Sequence, residues 1–270
     1  MKIDHLSVSQ MNMFSRCGVQ YMYRYCEGIK APPGIALHVG GSTHKARELI
    51  LRAKMVGTIP PVEAAREEAA AQCASGINTE VALDDKEKAI GIDTVRGAAI
   101  DQAVALATLD YGHNLTALVP VKIEHKVELD LTAIGCKLVG IIDTIDAAGV
   151  IRDLKTAGKS LTQKDADTSM QLTMYSMMQR LSEGVDETAV QLDVLVKTKT
   201  PKAQNLISHR DVDDIQVLLN RIARIKEGIE KECWTPASEG SFWCSPKLCG
   251  YFDRCPYAVR RVTVTVAVEE

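Results

Sequence analysis

Aromatic side chains and long apolar runs are scarce in this sequence. Aromatic residues make up 4% of the chain, and no apolar run approaches the length that a membrane span needs. The first residues, MKIDHLSVSQ, lack the basic start and apolar stretch of a secretory signal. These absences predict a cytoplasmic protein that does not contact a membrane.

An excess of positive charge is also missing. The formal net charge of −3 argues against a polycation that binds nucleic acid through bulk charge, although a local basic groove beside an acidic site stays compatible with it. Hydrophobic residues at 46% and charged residues at 25% are typical of a soluble globular protein. A chain of 270 residues is long enough for one large domain or two small ones.

Cysteine is plentiful, with eight residues. A disulfide framework is not expected, because the cytosol keeps thiols reduced. Cys244, Cys249 and Cys255 lie close together among aromatic residues and prolines, which is typical of a metal-ligand cluster. Their gaps of four and five residues do not form two compact zinc knuckles, so the spacing leaves the metal open. The candidates for a fourth ligand are Cys17, Cys26, Cys73, Cys136 and Cys233.

The stretch GIIDTIDAAGVIRDLK, residues 140–155, predicts two strands joined by a tight turn. Asp153 and Lys155 are two residues apart and leave one face of the sheet, while Leu154 points into a core. Asp143 would come near Asp153, which is costly unless a cation lies between them. Two carboxylates, a divalent metal and a lysine predict a hydrolytic site for a phosphate ester. An ordinary solvated Asp/Lys pair is the alternative.

A histidine precedes this hairpin in the chain. Gly40 and Gly41 predict a turn, after which Ser42 or Thr43 would cap a helix that carries His44 in its first turn. A histidine at that place is either a metal ligand or a solvated side chain.

The segments around the hairpin predict an alternation of helices and strands. Residues 60–112 read as a helical part without chemical residues, and a strand beginning near Val121 leads into the hairpin. On that strand Glu124 and Glu128 are candidates for a third carboxylate, but a solvent-facing position is the favoured interpretation for both.

A helix predicted from about Thr168 to Leu181 places Gln171 and Tyr175 on one face. This pair either contacts a phosphate backbone or covers a packed surface. A further strand, ending near Lys197, and a last helix from Val212 to Glu230 complete the predicted fold.

Taken in order, these motifs resemble the RecB-type nucleases of the PD-(D/E)XK superfamily. The motifs are Cys17, GSTHKARE with His44, GIIDTID with Asp143, DLK with Asp153 and Lys155, QLTMY with Gln171 and Tyr175, and the terminal cysteines. The resemblance spans nearly the whole chain. It is strongest to the iron-sulfur members, which include AddB-like exonuclease domains, the exonuclease of CRISPR adaptation and small phage-encoded nucleases. Some of these relatives have two residues between the second and third cysteines, where this chain has four.

The resemblance implies an α/β fold with a restriction-endonuclease-like core. A central mixed sheet from about Val121 to Lys197 would be flanked by helices in a single nuclease domain over residues 1–270. Residues 1–30 and 233–260 would form an iron-sulfur cap that joins the two ends of the chain. The implied cluster is of the 4Fe-4S type, with Cys17, Cys244, Cys249 and Cys255 as ligands.

The implied activity is metal-dependent hydrolysis of DNA, most simply by an exonuclease on single strands or duplex ends. Mg²⁺ or Mn²⁺ would be held by His44, Asp143, Asp153 and the backbone carbonyl of Leu154, all donors that these ions accept. Lys155 would position water or neutralise developing charge. Gln171 and Tyr175 would bind substrate.

Two other classes stay open at this point. A catalytically silent iron-sulfur protein that binds DNA or serves as an adaptor would leave the acidic site unused, and an electron carrier would use the cluster alone. Recombination, repair and CRISPR adaptation would each supply partners for such a protein, in the cytoplasm of a host cell if the chain is phage-encoded. The sequence carries no signal for the polarity of DNA digestion or for the oligomeric state.

Overall fold

A mixed β-sheet with helices on both of its faces forms the body of the protein, as the sequence predicts. The computed structural model describes residues 5–77 and 81–259. Residues 1–4 and 260 of the predicted cap, residues 78–80 of the predicted helical part and the tail after residue 260 lie outside this description. The strands are β1 (His5–Ser7), β2 (Pro120–Leu131), β3 (Cys136–Asp146), β4 (Val150–Ala157), β5 (Ala189–Val196) and β6 (Lys202–Ser208).

In chain order the helices are α1 (Val8–Arg16), α2 (Gly18–Tyr21), α3 (Ile35–Met55), α4 (Val62–Gly76), α5 (Asp85–Ile90), α6 (Ile92–Asp110), α7 (Gln163–Asp167), α8 (Met170–Glu183) and α9 (Val212–Glu230). The helices α1 to α6 precede β2 in the chain, whereas α7 to α9 follow β4. Short π-helical turns continue α2 through Met22–Cys26 and α6 through Tyr111–Leu115.

The long strand β3 organises the sheet. Along one edge it pairs antiparallel with β2 over nearly its whole length. Its other edge is shared, because β1 pairs in parallel with residues 137–139 whereas β4 pairs only with Thr144 and Ile145. Beyond that short contact β4 continues beside β5, and β6 follows antiparallel. Residues 140–143 therefore lie at a gap between two neighbouring strands, and this gap positions the candidate site.

Two apolar cores cover the two faces of the sheet. On one face α1, α8 and α9 pack on β3, β4 and β5, with Ile142, Ile151 and Val194 fully buried. On the other face α3, α4 and α6 pack on Leu154 and Leu195. Leu154 thus faces a core, as the alternation of its strand predicts. Because apolar residues on β4 and β5 supply both cores, these strands are covered on both faces.

The predicted turn at Gly40 and Gly41 is wrong, since α3 runs through both glycines from a start at Gly34. A Cβ at position 40 would lie 3.0 Å from Thr156 Oγ1, so the glycine permits close packing of α3 on β4. Ser42 and Thr43 do not cap a helix. Their hydroxyls donate to backbone carbonyls one turn earlier in α3, and His44 lies in the middle of the helix.

Two strands lie outside the predicted limits of the sheet. β1 has three residues, which is too short for a periodic signal. β6 follows a bend at residues 198–200 and begins at Lys202, beyond the predicted end of the sheet near Lys197. The predicted limits of α9, in contrast, are confirmed, because its apolar residues recur at helical spacing over five turns and Asp211 caps its start.

Candidate active site

Asp143 lies where β3 and β4 separate. Its Oδ2 accepts a hydrogen bond of 3.0 Å from the backbone N–H of Leu154. A strand partner would normally satisfy that N–H, but β4 has already left β3 at this point. The carboxylate therefore replaces a ladder hydrogen bond, which fixes its orientation toward the gap.

Three potential metal ligands meet at this position. One ligand atom each from His44, Glu124 and Asp143 lies within 4.8 Å of the others, and the His44 Nδ1 to Asp143 Oδ2 distance is 3.5 Å. Burial lowers the pKa of His44 to about 4, so the imidazole is neutral at pH 7 and can offer a lone pair. Two carboxylates and a neutral imidazole are a donor set that Mg²⁺ and Mn²⁺ accept.

Glu124, for which the sequence favoured a solvent-facing position, is one of these three potential ligands. It adopts φ +47, a conformation that is uncommon outside glycine and costs on the order of 1 kcal/mol or more. Its side chain is half-buried, and burial together with Asp143 and Glu48 raises the pKa of its carboxyl. The register of β2 on β3 pairs Ile123 with Thr144 and His125 with Ile142, so Glu124 lies opposite Asp143. The pattern of one strand does not reveal its partner across the sheet, so the alternation alone could not have found this ligand.

Asp153 is 1% exposed, yet neither of its oxygens has a hydrogen-bond partner of good geometry among the described residues. The ammonium of Lys155 forms an ion pair with Asp153, in which Nζ lies 2.6 Å from Oδ2. Burial, opposed by Lys155 and reinforced by Asp143, raises the pKa of Asp153 to about 6. Its oxygens do not join the three-ligand group at the 4.8 Å separation. A buried carboxylate with unfilled acceptor positions fits a cation that would lie between it and Asp143.

Lys155 connects the carboxylates to α8. Its ammonium donates to Gln171 Oε1 at 2.8 Å, and the Gln171 amide nitrogen donates to the Tyr175 hydroxyl at 2.7 Å. Gln171 and Tyr175 line the same cleft as His44 and Asp143. The two side chains thus share one helical face, as predicted, and in this structure they hold the lysine in place.

An ion triad fixes α3, and with it His44, against the sheet. Arg47 is 3% exposed and donates two hydrogen bonds to Asp110 on α6 and one, of 2.9 Å, to Asp193 on β5. Both carboxylates are fully buried. Because removal of one partner would leave a buried charge unpaired, this triad is costly to break. No local pattern in the sequence indicates that these distant residues meet.

The terminal cysteines surround a second cavity. Cys17, Cys244, Cys249 and Cys255 all line it, and all eight cysteines of the chain are free thiols. Burial and the neighbouring Cys249, Cys255 and Cys17 raise the pKa of the Cys244 thiol. No three cysteine sulfurs in the described ranges lie mutually within 4.8 Å.

The two ends of the chain meet around this cavity. The Gly18 N–H donates to the Thr235 carbonyl at 2.7 Å, and the Tyr251 hydroxyl donates to the Ile29 carbonyl at 2.8 Å. A small apolar cluster with Tyr251 and Phe252 at its centre packs between them. We call the segments 17–31 and 233–259 the cap. An ion pair between Lys247 and Asp84 ties the cap to the start of α5.

Residues 5–258 of the chain match the model of the PD-(D/E)XK nuclease superfamily. The protein belongs to that superfamily. No curated protein matches the sequence.

Among solved structures, the chain is similar to the crystal structure of a "Putative exonuclease" from Eubacterium rectale. The TM-score is 0.54 at 16% identity, over 98% of this chain and 94% of the other. The crystal structure of SSO0001 matches with a TM-score of 0.43 at 13% identity, over 96% and 89% of the two chains. At such identities the likeness to the first structure concerns the fold. None of the helices in the described part of the chain is long and apolar enough to span a membrane.

Proposed function

We propose that the protein is a metal-dependent deoxyribonuclease that hydrolyses phosphodiester bonds, as an exonuclease on single strands or duplex ends. The observation that carries this proposal is the meeting of Asp143, His44 and Glu124 at the strand gap, beside the ion pair between buried Asp153 and partly exposed Lys155. The membership in the PD-(D/E)XK nuclease superfamily supports the same reaction class.

The chain's own residues suit Mg²⁺ or Mn²⁺. Asp143, His44 and Glu124 would hold the ion, with Asp153 and the Leu154 carbonyl as further donors. When bound, such an ion lowers the pKa of water and offsets negative charge on the phosphate. Asp143 is oriented by the Leu154 N–H, so the donor set is arranged before the ion arrives.

Lys155 is placed to act on the phosphate or on the attacking water. It is the cation beside Asp153, and its exposed fraction of 37% leaves it accessible from the cleft. Gln171 would hold its ammonium while Tyr175 orients Gln171, and both side chains would contact the substrate strand from α8. An ammonium at this position stabilises the charge that develops as the phosphodiester is attacked.

Four of the cysteines, Cys17, Cys244, Cys249 and Cys255, would hold an iron-sulfur cluster of the 4Fe-4S type. All four line one cavity where the two ends of the chain meet. A cluster there would join segments that are more than two hundred residues apart, which stabilises the fold through loop closure. Its role would be structural. DNA is the expected partner, and recombination, repair or CRISPR adaptation are the expected settings.

The test is digestion of end-labelled single-stranded and duplex DNA by anaerobically purified protein, with Mn²⁺, Mg²⁺ or EDTA. Lys155→Ala should lose at least about 100-fold in rate while Mn²⁺ binding, measured by calorimetry, persists. Lys159→Ala removes an exposed lysine from the following loop and should cleave normally. Cleavage by Lys155→Ala at the wild-type rate would refute the assigned role, and the absence of any metal-dependent cleavage would favour a silent DNA-binding protein.

A further inference from the structure

One side of α1 leads from the candidate active site to the cap. Ser9 and Asn12 line the cleft that contains His44 and Asp143. Arg16 follows Asn12 by four residues, so the two side chains lie on the same side of the helix. The distance from Ser9 to Arg16 along the helix axis is about 10 Å at 1.5 Å per residue. The start of α1 thus borders the cleft, and its carboxy-terminal end carries Arg16.

Arg16 is held in a fixed orientation at that end. Its guanidinium carbon lies 4.5 Å from the centroid of the Trp243 ring, and its Nε and Nη2 donate to Gln20 Oε1 at 3.2 and 2.9 Å. The Gln20 amide nitrogen in turn contacts Cys249 Sγ at 3.0 Å. Within residues 5–77 and 81–259 no carboxylate forms an ion pair with Arg16, so its positive charge can serve an outside anion.

Two adjacent exposed aromatic side chains, Phe242 and Trp243, extend this surface. Phe242 is 67% exposed and Trp243 is 37% exposed, and their ring centroids are 4.6 Å apart at an interplanar angle of 35°. The chain has three phenylalanines and two tryptophans, and one of each is exposed here, beside Arg16, instead of packed in a core. Aromatic rings beside an arginine are the elements with which proteins bind unpaired bases and the strand that carries them.

We infer that Phe242, Trp243 and Arg16 form a stacking platform for unpaired bases of a DNA strand whose backbone follows α1 into the active-site cleft. This inference rests on the proposed nuclease function. Ser9 and Asn12 supply polar groups for the backbone between the two positions, and Arg16 supplies the charge that pairs with a phosphate. The faces of bases are accessible in a single strand and covered in a duplex, so the platform favours single-stranded DNA.

The test is the affinity of the full-length, anaerobically purified protein for a labelled oligothymidylate, measured by fluorescence anisotropy in EDTA so that no strand is cut. Phe242→Ala and Phe242→Leu should each weaken binding by about 5- to 100-fold, since stacking contributes about 1–3 kcal/mol per base. Phe242→Tyr, which keeps the ring, should bind as the wild type does. Ile59→Ala removes an apolar side chain that is also largely exposed but lies outside the cleft and the cap, and it should have no effect.

The two proposals fail in different ways. If Phe242→Ala and Phe242→Leu bind the oligothymidylate as tightly as the wild type, the platform is refuted even when the protein cleaves DNA. The same conclusion follows if Phe242→Leu binds as well as Phe242→Tyr, because apolar contact rather than stacking would then be responsible and a protein partner would suit the surface better. If the wild type neither binds nor cuts DNA, the proposed function fails and the platform fails with it.

Discussion

Asp153 is expected to destabilise the metal-free protein, so Asp153→Asn should raise its stability while abolishing cleavage. The carboxyl is buried, and its pKa is raised to about 6 from an ordinary value of 3.8. Each pH unit of such a difference corresponds to about 1.4 kcal/mol. The ionised carboxylate therefore disfavours the folded state by about 3 kcal/mol above pH 6.

The sign of this effect depends on pH. A carboxyl whose pKa is higher in the folded state binds its proton more tightly there, so the penalty is absent below about pH 4 and complete above about pH 6. The asparagine amide is uncharged, although it is still polar and it leaves Lys155 without its ion-pair partner. Because Lys155 is 37% exposed and keeps its hydration, we expect a net gain of about 1–2 kcal/mol.

Thermal unfolding in EDTA at about pH 8 is the assay. For a chain of this size the gain should appear as a rise in Tm of about 2–8 °C, and it should disappear as the pH is lowered toward 4. Saturating Mn²⁺ should stabilise the wild type more than the variant, since a ligand stabilises the state that binds it. The difference between the two Tm values should then become smaller or change sign.

Asp193→Asn is the matched control. Asp193 lies on the neighbouring strand, beside Leu154 in the register, and is also fully buried. Its carboxylate accepts hydrogen bonds from Arg47 and Gln191 and is close to Arg152, so its removal should cost about 3 kcal/mol or more. If Asp153→Asn lowered the Tm in EDTA as Asp193→Asn should, Asp153 would be a structural residue and the reasoning would be wrong.

Three further perturbations test other parts of the structure. Glu187→Gln should lower stability by about 2–3 kcal/mol at pH 7, because despite burial, hydrogen bonds from Arg180 hold the pKa of Glu187 below its ordinary value. The urea midpoints of variant and wild type should converge as the pH falls through that lowered pKa. Gly140→Ala places a Cβ 2.6 Å from Met178 Sδ and should cost about 1–3 kcal/mol in urea unfolding; an unchanged midpoint would contradict this packing. Cys249→Ser should lower the iron content and the Tm of anaerobically purified protein together, and full retention of both would exclude a cluster at the cap cysteines.

The hairpin at the centre of the site was predictable because its signals are local. Apolar residues on both strands, a turn that ends in Gly149 and the two-residue spacing of Asp153 and Lys155 all lie within sixteen residues. The structure adds the early separation of β4 from β3, which depends on β5 and on helix packing. That separation is why the Leu154 N–H is available to Asp143.

Other features depend on contacts between distant segments, which no pattern in one segment reveals. The two glycines of α3 read as a turn, yet Gly40 is needed because Thr156 of β4 approaches the helix. Glu124 read as a solvent-facing residue on a regular strand, whereas the register of β2 on β3 places it opposite Asp143 with a left-handed backbone. In both places the tertiary structure overrides the local preference.

The candidate site concentrates features that oppose folding, and the residues around it offset them. Asp153 is buried without full hydrogen bonding, and Glu124 has a strained backbone. Directly behind them, Arg47 joins α3 and α6 to β5 through two buried carboxylates. A cation bound between Asp143 and Asp153 would relieve the first cost, whereas the Arg47 triad acts whether or not an ion is present. The triad thus keeps the donor set assembled in the metal-free protein, so that metal binding does not have to organise the fold as well as neutralise the charge.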